Sequence, residues 1–302
     1  MDNIPQFHEE MKKILDSVKN VPKEALVFTY NGVMYPAAIC DTDTFKDIES
    51  FEAREDDLML VSYPKCGSHW AHSLLHSIVG AKEKKEAPFG IPVIEFKVYH
   101  KYVKENTVSS PRILATHLHY HNIPQSFFDK KVKMLVVFRN PKDTAVSFFH
   151  FYNNNSVLPS YDTWDDFFPD FMAGKVVNGS YFDHAVTWNK HLDEDTVLLM
   201  TFEDMKEDLE GSVKKISEFF GISITEEQVK QIAEKGSFKY MKENSEKTQG
   251  AIAKVVFRKG DVGDWRSHFS EAQSQEVDSK FEECLAGTKL GELLKYNVHC
   301  KW

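Results

Sequence analysis

The chain has 302 residues, 42% of them hydrophobic and 13% aromatic, with a formal net charge of −9. That acidic balance excludes a general nucleic-acid binder, which needs a basic surface, but a small anion needs only a few local donors. No run approaches the roughly 20 apolar residues of a membrane span, and the length suits one large α/β domain or two domains, folding without staples.

The N-terminal stretch MDNIPQFHEEMKKILDSVKN is charged and amphipathic, without the apolar core of a signal peptide. The cysteines (Cys40, Cys66, Cys284, Cys300) show no CxxC spacing, so reduced thiols in a soluble cytoplasmic protein are expected. Leu58–Tyr63 reads as a buried strand, followed by a helical run from Trp70 to Val79. Arg112–Thr116, Val132–Phe138 and Thr196–Phe202 read as three more strands. Asn140-Pro141 starts a helix, Asn as N-cap and Pro at the first helical position. One long helix is expected from Glu203 to Phe220, stopped by Gly221. Thr225–Gln228 is a capping box opening another, Lys254–Trp265 a loop, and Ser270–Leu285 a final amphipathic helix. Ala81–Thr107 and Tyr152–Trp164 are the least regular stretches. The alternation predicts an α/β fold, a single domain over 1–302 with a central, mainly parallel sheet flanked by helices.

Three segments carry candidate chemistry. Tyr63-Pro64-Lys65-Cys66-Gly67-Ser68-His69-Trp70 lies at a strand-to-helix junction, where free N–H groups and the positive end of the helix dipole suit a phosphate. Gly67 allows close backbone approach, Lys65 brings a cation, and Ser68 and His69 bring donors; GxxxxGK[ST] is absent, so this is not a Walker A loop. At Arg139–Phe151 a strand again ends in a cation before a capped helix, with Ser147 near the second turn. Arg258-Lys259-Gly260 puts adjacent cations in a glycine-bearing loop. Each alone is a weak signal, and together they suggest a ligand with two separated phosphates.

These segments resemble the cytosolic sulfotransferases, whose YPKxGxxW, RNPKDxAVSxxHF and RKGxxGDW elements bind 3'-phosphoadenosine 5'-phosphosulfate (PAPS). Pro111–His121 and the tail CLAGTKLGELLKY are most similar to the family's sixth subgroup, the B type. The resemblance implies a P-loop-like phosphosulfate-binding loop, with Lys65, Cys66, Gly67, Ser68, His69 and Trp70 at the 5'-phosphosulfate and Trp70 stacking on adenine. It implies Arg139 and Ser147 at the 3'-phosphate, with Arg258, Lys259 and Gly260 closing over it. Phe202, Gly236, Ser237, Phe238 and Met241 fall near the nucleotide. His117, His119 and His121 alternate as on one face of a strand, and the resemblance selects His117 as general base, with Lys65 catalytic at the leaving phosphate. It implies a small hydroxyl-bearing acceptor, a phenol or iodothyronine such as thyroxine foremost, and sulfate conjugation without a required metal, nucleic acid or membrane.

Some positions depart from the family pattern. Ala115 replaces a lysine beside the histidine, which predicts a slower or more selective enzyme. His69 stands for a threonine, and Gly236 and Phe202 replace hydroxyl-bearing residues. Glu271 and Gln275 replace the valine and glutamate of the dimer motif, which argues against the usual dimer. Cys66, beside a helix N-terminus and Lys65, is in a place where a thiol pKa can fall, but a spectator thiol is preferred here over a redox switch. Three rivals remain at this point: a nucleotide kinase, a metal-binding protein using His72/His76 or His117/His119/His121, and a nucleotide-binding protein that transfers nothing.

Overall fold

The computed structural model describes residues 4–83, 91–104, 110–249 and 258–302. In chain order the elements are α1 (Ile4–Ser17), β1 (Val27–Tyr30), β2 (Val33–Pro36), α2 (Thr42–Glu49), β3 (Leu58–Ser62), α3 (Ser68–Glu83), α4 (Lys97–Lys104), β4 (Ile113–Thr116), α5 (Gln125–Asp129), β5 (Lys133–Phe138) and α6 (Pro141–Asn154). There follow α7 (Trp164–Met172), α8 (Tyr181–Asn189), β6 (Val197–Thr201), α9 (Phe202–Glu207), α10 (Leu209–Phe220), α11 (Glu226–Gly236), α12 (Phe238–Gln249), a 3-10 turn (Asp264–Ser267), α13 (Glu271–Cys284), α14 (Lys289–Leu293) and α15 (Tyr296–His299).

The four expected strands form one parallel sheet in the order β4-β3-β5-β6. Leu58 pairs with Ile113 on one side and Lys133 on the other, and Met134 pairs with Val197. All five residues of β3 are buried, as expected of a strand covered on both faces. Alternation then divides the core. Met59, Val61, Met134, Val136 and Phe138 face one apolar layer with Phe127, Tyr181 and Trp188. Leu58, Leu60, Leu135 and Val137 face the other, against Leu74 and Ile78 of α3, Ile216 of α10 and Ile232 of α11.

The local signals act as the sequence predicts at several ends. Asn140 accepts from the Asp143 amide at 2.8 Å, Thr225 and Gln228 close a capping box, and Gly221 ends α10 with φ +71°; a second capping box, between Ser270 and Gln273, was not expected.

Two expectations fail. The helix expected over Glu203–Phe220 is two helices, because Asp208 leaves helical geometry (φ −140°, ψ 89°) and its carboxylate accepts from the Gly211 amide at 2.9 Å as the cap of α10. Likewise His117, His119 and His121 do not share a strand face: β4 stops at Thr116, whose hydroxyl accepts from the Leu118 amide at 3.0 Å, and residues 120–122 are a 3-10 turn. Part of the irregular stretch Ala81–Thr107 is helical, as α4, while 84–90 and 105–109, like 254–257 of the expected loop, lie outside the described residues. The β1–β2 hairpin, with Asn31 and Gly32 at φ +49° and +79°, is the tight turn that such a dipeptide favours.

Candidate active site

Every strand of the parallel sheet delivers a candidate residue at its C-terminal end, which is where open α/β sheets bind ligands. From β3 the chain passes through Lys65 (φ +71°) and Gly67 (φ +103°) into α3. The first helical bond runs from the Ala71 amide to the Gly67 carbonyl at 2.9 Å, so the turn before it presents amides without helical partners. A Cβ on Gly67 would stand 3.0 Å from the Phe202 ring, so the loop and the end of β6 abut.

The Lys65 ammonium lies 4.3 Å over the Phe151 ring. Burial, then Arg139 and Arg258, push its pKa down from 10.5 to about 7. Arg139, 7% exposed at the end of β5, lies 4.3 Å over Phe202 and donates to the Asp261 carbonyl at 2.7 Å. Its Nε–H has no acceptor among the described residues. Three cations whose fields weaken one another, at a helix N-terminus, form a site that fits a polyanion.

The loop after residue 257 is tied to the same place. The buried Asp143 carboxylate accepts from the Gly263 amide at 2.7 Å and the Trp265 amide at 3.0 Å. Asp264 pairs with Arg258 and, at 2.5 Å, with Lys259. Gly260 (φ +68°) is covered by Phe238, whose ring a Cβ would meet at 2.3 Å. Next door, Trp70 donates from Nε1 to the Gly236 carbonyl at 2.8 Å and meets Phe202 edge-on at 5.1 Å. Gly67, Trp70, Arg139, Phe202 and Gly236 are thus linked by contact, Arg258 and Lys259 meet at Asp264 and Gly260 packs on Phe238, while Lys65 joins them through the fields of Arg139 and Arg258. Ser68 and Met241 are buried nearby in sequence, Ser237 caps α11, and Ser147 and His69 are half-buried on the second turn of α6 and the first turn of α3.

Two sequence arguments change on contact with the structure. The Cys66 thiol faces Thr144 at 3.7 Å inside the core, and burial pushes it up to about 12 rather than down. It is a packed thiol, not a reactive one. At Gly236 the missing hydroxyl has a packing reason: an added Cβ would lie 2.5 Å from Cδ2 of Leu74. Gly236→Ser is expected to destabilise the fold by about 1–3 kcal/mol, read as a lowered urea midpoint; an unchanged midpoint contradicts the clash.

At the end of β4, Nδ1 of His117 lies 2.7 Å from the Ser62 carbonyl. Burial, and Lys65 after it, hold this imidazole down at about 4, against the pull of that carbonyl. Glu95, fully buried, accepts from the His117 amide at 2.7 Å and the Thr116 hydroxyl at 2.9 Å, and burial raises it to about 7. Glu95 carried no signal of its own in sequence beyond a carboxylate inside an apolar run, and Asp143 stood within the RNPKDxAVSxxHF element without a role assigned to it. Ala115 is 2% exposed in the second apolar layer, so a lysine there must reach out of that layer to meet a ligand.

Residues 55–289 match the sulfotransferase domain family. This chain belongs to the cytosolic sulfotransferases. It is 48% identical to sulfotransferase 6B1 of mouse, over 98% of each chain, and also 48% identical to that of human. Human sulfotransferase 1C2 is 34% identical over 85% of this chain and 92% of its own, so the sixth-subgroup resemblance holds. Mouse SULT7A1 solved with 3',5'-adenosine bisphosphate (PAP) superposes with a TM-score of 0.79 at 36% identity, over 90% of this chain and 99% of that one. Retinol dehydratase, solved with androsterone and PAP, shares the fold with a TM-score of 0.73 at 21% identity, over 91% of this chain and 94% of its own. The enzyme is a PAPS-dependent sulfotransferase with a single α/β domain, and the kinase and non-catalytic readings fall away.

Proposed function

We propose that this sulfotransferase sulfates the hydroxyl of a small phenolic acceptor, an iodothyronine such as thyroxine being the leading candidate, with His117 as general base. The observation that carries the reading is the His117 tautomer. A carbonyl only accepts, so the 2.7 Å contact to Ser62 puts the proton on Nδ1 and leaves Nε2 a bare lone pair. Held neutral by burial and Lys65, that lone pair can take the proton of an incoming hydroxyl. Phe96 lies 6.4 Å from the His117 ring, and Phe151 lies under Lys65. These aromatic faces, one beside His117 and one beneath Lys65, favour a flat acceptor over a sugar. Other aromatics of the candidate stretches, Phe148, Tyr152 and Phe167, are core packing.

PAPS supplies the sulfuryl group when bound. Lys65 to Trp70 would hold its 5' end, with Lys65 opposing charge that develops on the leaving phosphate. Arg139, Ser147, Arg258, Lys259 and Gly260 would hold the 3'-phosphate. Phe202, Gly236, Ser237, Phe238 and Met241 would flank the adenosine, with Trp70 against the base. Sulfuryl transfer of this kind depends on positioning and electrostatics, and the reading assigns no metal to it. Among the described residues no helix is long and apolar enough to cross a membrane. Four cysteines without disulfides support work in the cytosol. Glu271 and Gln275 are bonded to each other at 3.4 Å, and a dimer through this stretch would bury the Glu271 charge where the family motif has a valine, so the reading assigns no such dimer.

The test is a thermal-shift titration with PAP beside ATP and Mg²⁺, followed by an acceptor screen of phenols, iodothyronines, sterols and sugars. A rise in midpoint with PAP, lost in Arg139→Ala, and turnover highest on a phenol are expected. An Arg139→Ala variant that still responds, or turnover confined to sugars, defeats the assignment.

A further inference from the structure

Two histidines meet beside the cation cluster without a part in the chemistry above. His150 on α6 and His268, just past the 3-10 turn, place their Nε2 atoms 3.0 Å apart with the rings at 87°. Nδ1 of His268 faces the Asp264 carbonyl at 3.4 Å and the Ser267 hydroxyl at 3.0 Å. Because the carbonyl only accepts, His268 carries its proton on Nδ1 and offers a lone pair at Nε2. His150 is then the donor between the rings. Burial, then Arg258 and His268, with Lys259, hold His150 down at about 4 against the pull of Asp264, so His150 is neutral at physiological pH. His268 also leans edge-on against Trp164 at 6.0 Å, and that indole donates to Gln273 at 3.0 Å.

The contact joins two halves of the nucleotide site. His150 lies one turn beyond Ser147 on the helix that Arg139 precedes. His268 is held by Asp264, the residue whose carboxylate also holds Arg258 and Lys259. Fixing His268 against α6 therefore fixes both cations relative to Arg139. We infer that the His150–His268 contact is a latch that positions the Arg258–Gly263 loop for the nucleotide's phosphate, with neither ring touching the ligand. This rests on the reading that the loop binds the nucleotide; its residues are positioning residues, not catalytic ones.

The test is a double-mutant cycle on PAP affinity, measured by calorimetry at pH 7.5. His150→Leu and His268→Leu are each expected to raise Kd about 5- to 20-fold, with the double variant no worse than the weaker single, as two residues acting through one contact require. His268→Gln, whose carboxamide oxygen can still accept from His150, should restore most of the affinity, and kcat at saturating donor should not change. Unchanged Kd in the single variants, or losses that multiply in the double, overturn the latch. Nitrogen-15 NMR of the unaltered protein gives a check that does not depend on variants folding: His268 in the Nε2–H form also overturns it. If Arg258→Ala leaves PAP affinity intact, it is the nucleotide-site reading that has failed, which the cycle alone would not reveal.

Discussion

His117→Asn is expected to lower kcat by about 10²- to 10⁴-fold, the usual worth of a positioned base, while the Kd for PAP stays within about threefold. The two quantities separate because His117 sits at the end of β4, whereas the cations sit on the β3, β5 and post-257 loops. Asparagine can still donate to the Ser62 carbonyl, so the local fold is kept and only the lone pair is removed. The His117 backbone is also held by a group behind it. Glu95 holds the His117 amide and the Thr116 hydroxyl, and Glu95→Ala would leave both without their acceptor in a buried setting, a cost of about 1–3 kcal/mol for each. Wild-type kcat in His117→Asn, with PAP still bound, removes His117 from the chemistry. A parallel collapse of PAP binding instead points to a structural role.

The parallel sheet was legible because its strands are buried on both faces, so that runs such as LMLVS and KMLVVF stand out by composition alone. Two caps were legible because they are local: Asn140 and Thr225 each act on the amide three residues ahead. The half-exposed β1–β2 hairpin escaped notice although Asn31-Gly32 marks it, since strands of 4 residues with partial burial offer little contrast. Asp208 was hidden inside an amphipathic run, where a helix interior and a new N-cap look alike until the Gly211 amide is seen to turn toward it. The candidate site was legible as three cation-bearing motifs, but not as one place. Asp143 reaches Gly263 across 120 positions and Glu95 reaches His117 across 22, and no local pattern records such pairings. The spectator reading of Cys66 agrees with the packing, since a helix N-terminus lowers a thiol pKa only when burial does not outweigh it, and here it does.

Binding of PAP at pH 8 is expected to take up a proton, with Lys65 as the group that gains it. In the free enzyme the ammonium is pushed down to about 7 by burial first and then by Arg139 and Arg258. A polyanion placed among these cations neutralises the repulsion and favours the charged lysine, so the bound pKa is higher than the free one. The sign follows from that order. Below pH 7 Lys65 is charged in both states and affinity is insensitive to its titration. Above pH 7 the free enzyme loses the proton that the complex keeps, and Kd rises about tenfold per pH unit until the bound pKa is reached. Calorimetry at pH 8 in two buffers of different ionisation enthalpy reads the proton directly, and uptake approaching one per PAP is expected. Lys65→Arg keeps a cation that does not titrate in this range, so it should bind PAP without proton uptake and with a flat Kd between pH 7 and 9. Uptake that persists in Lys65→Arg assigns the proton elsewhere, His69 being the next titratable group in the loop, and an unaltered enzyme that takes up no proton means that Lys65 is already fully charged before the ligand arrives.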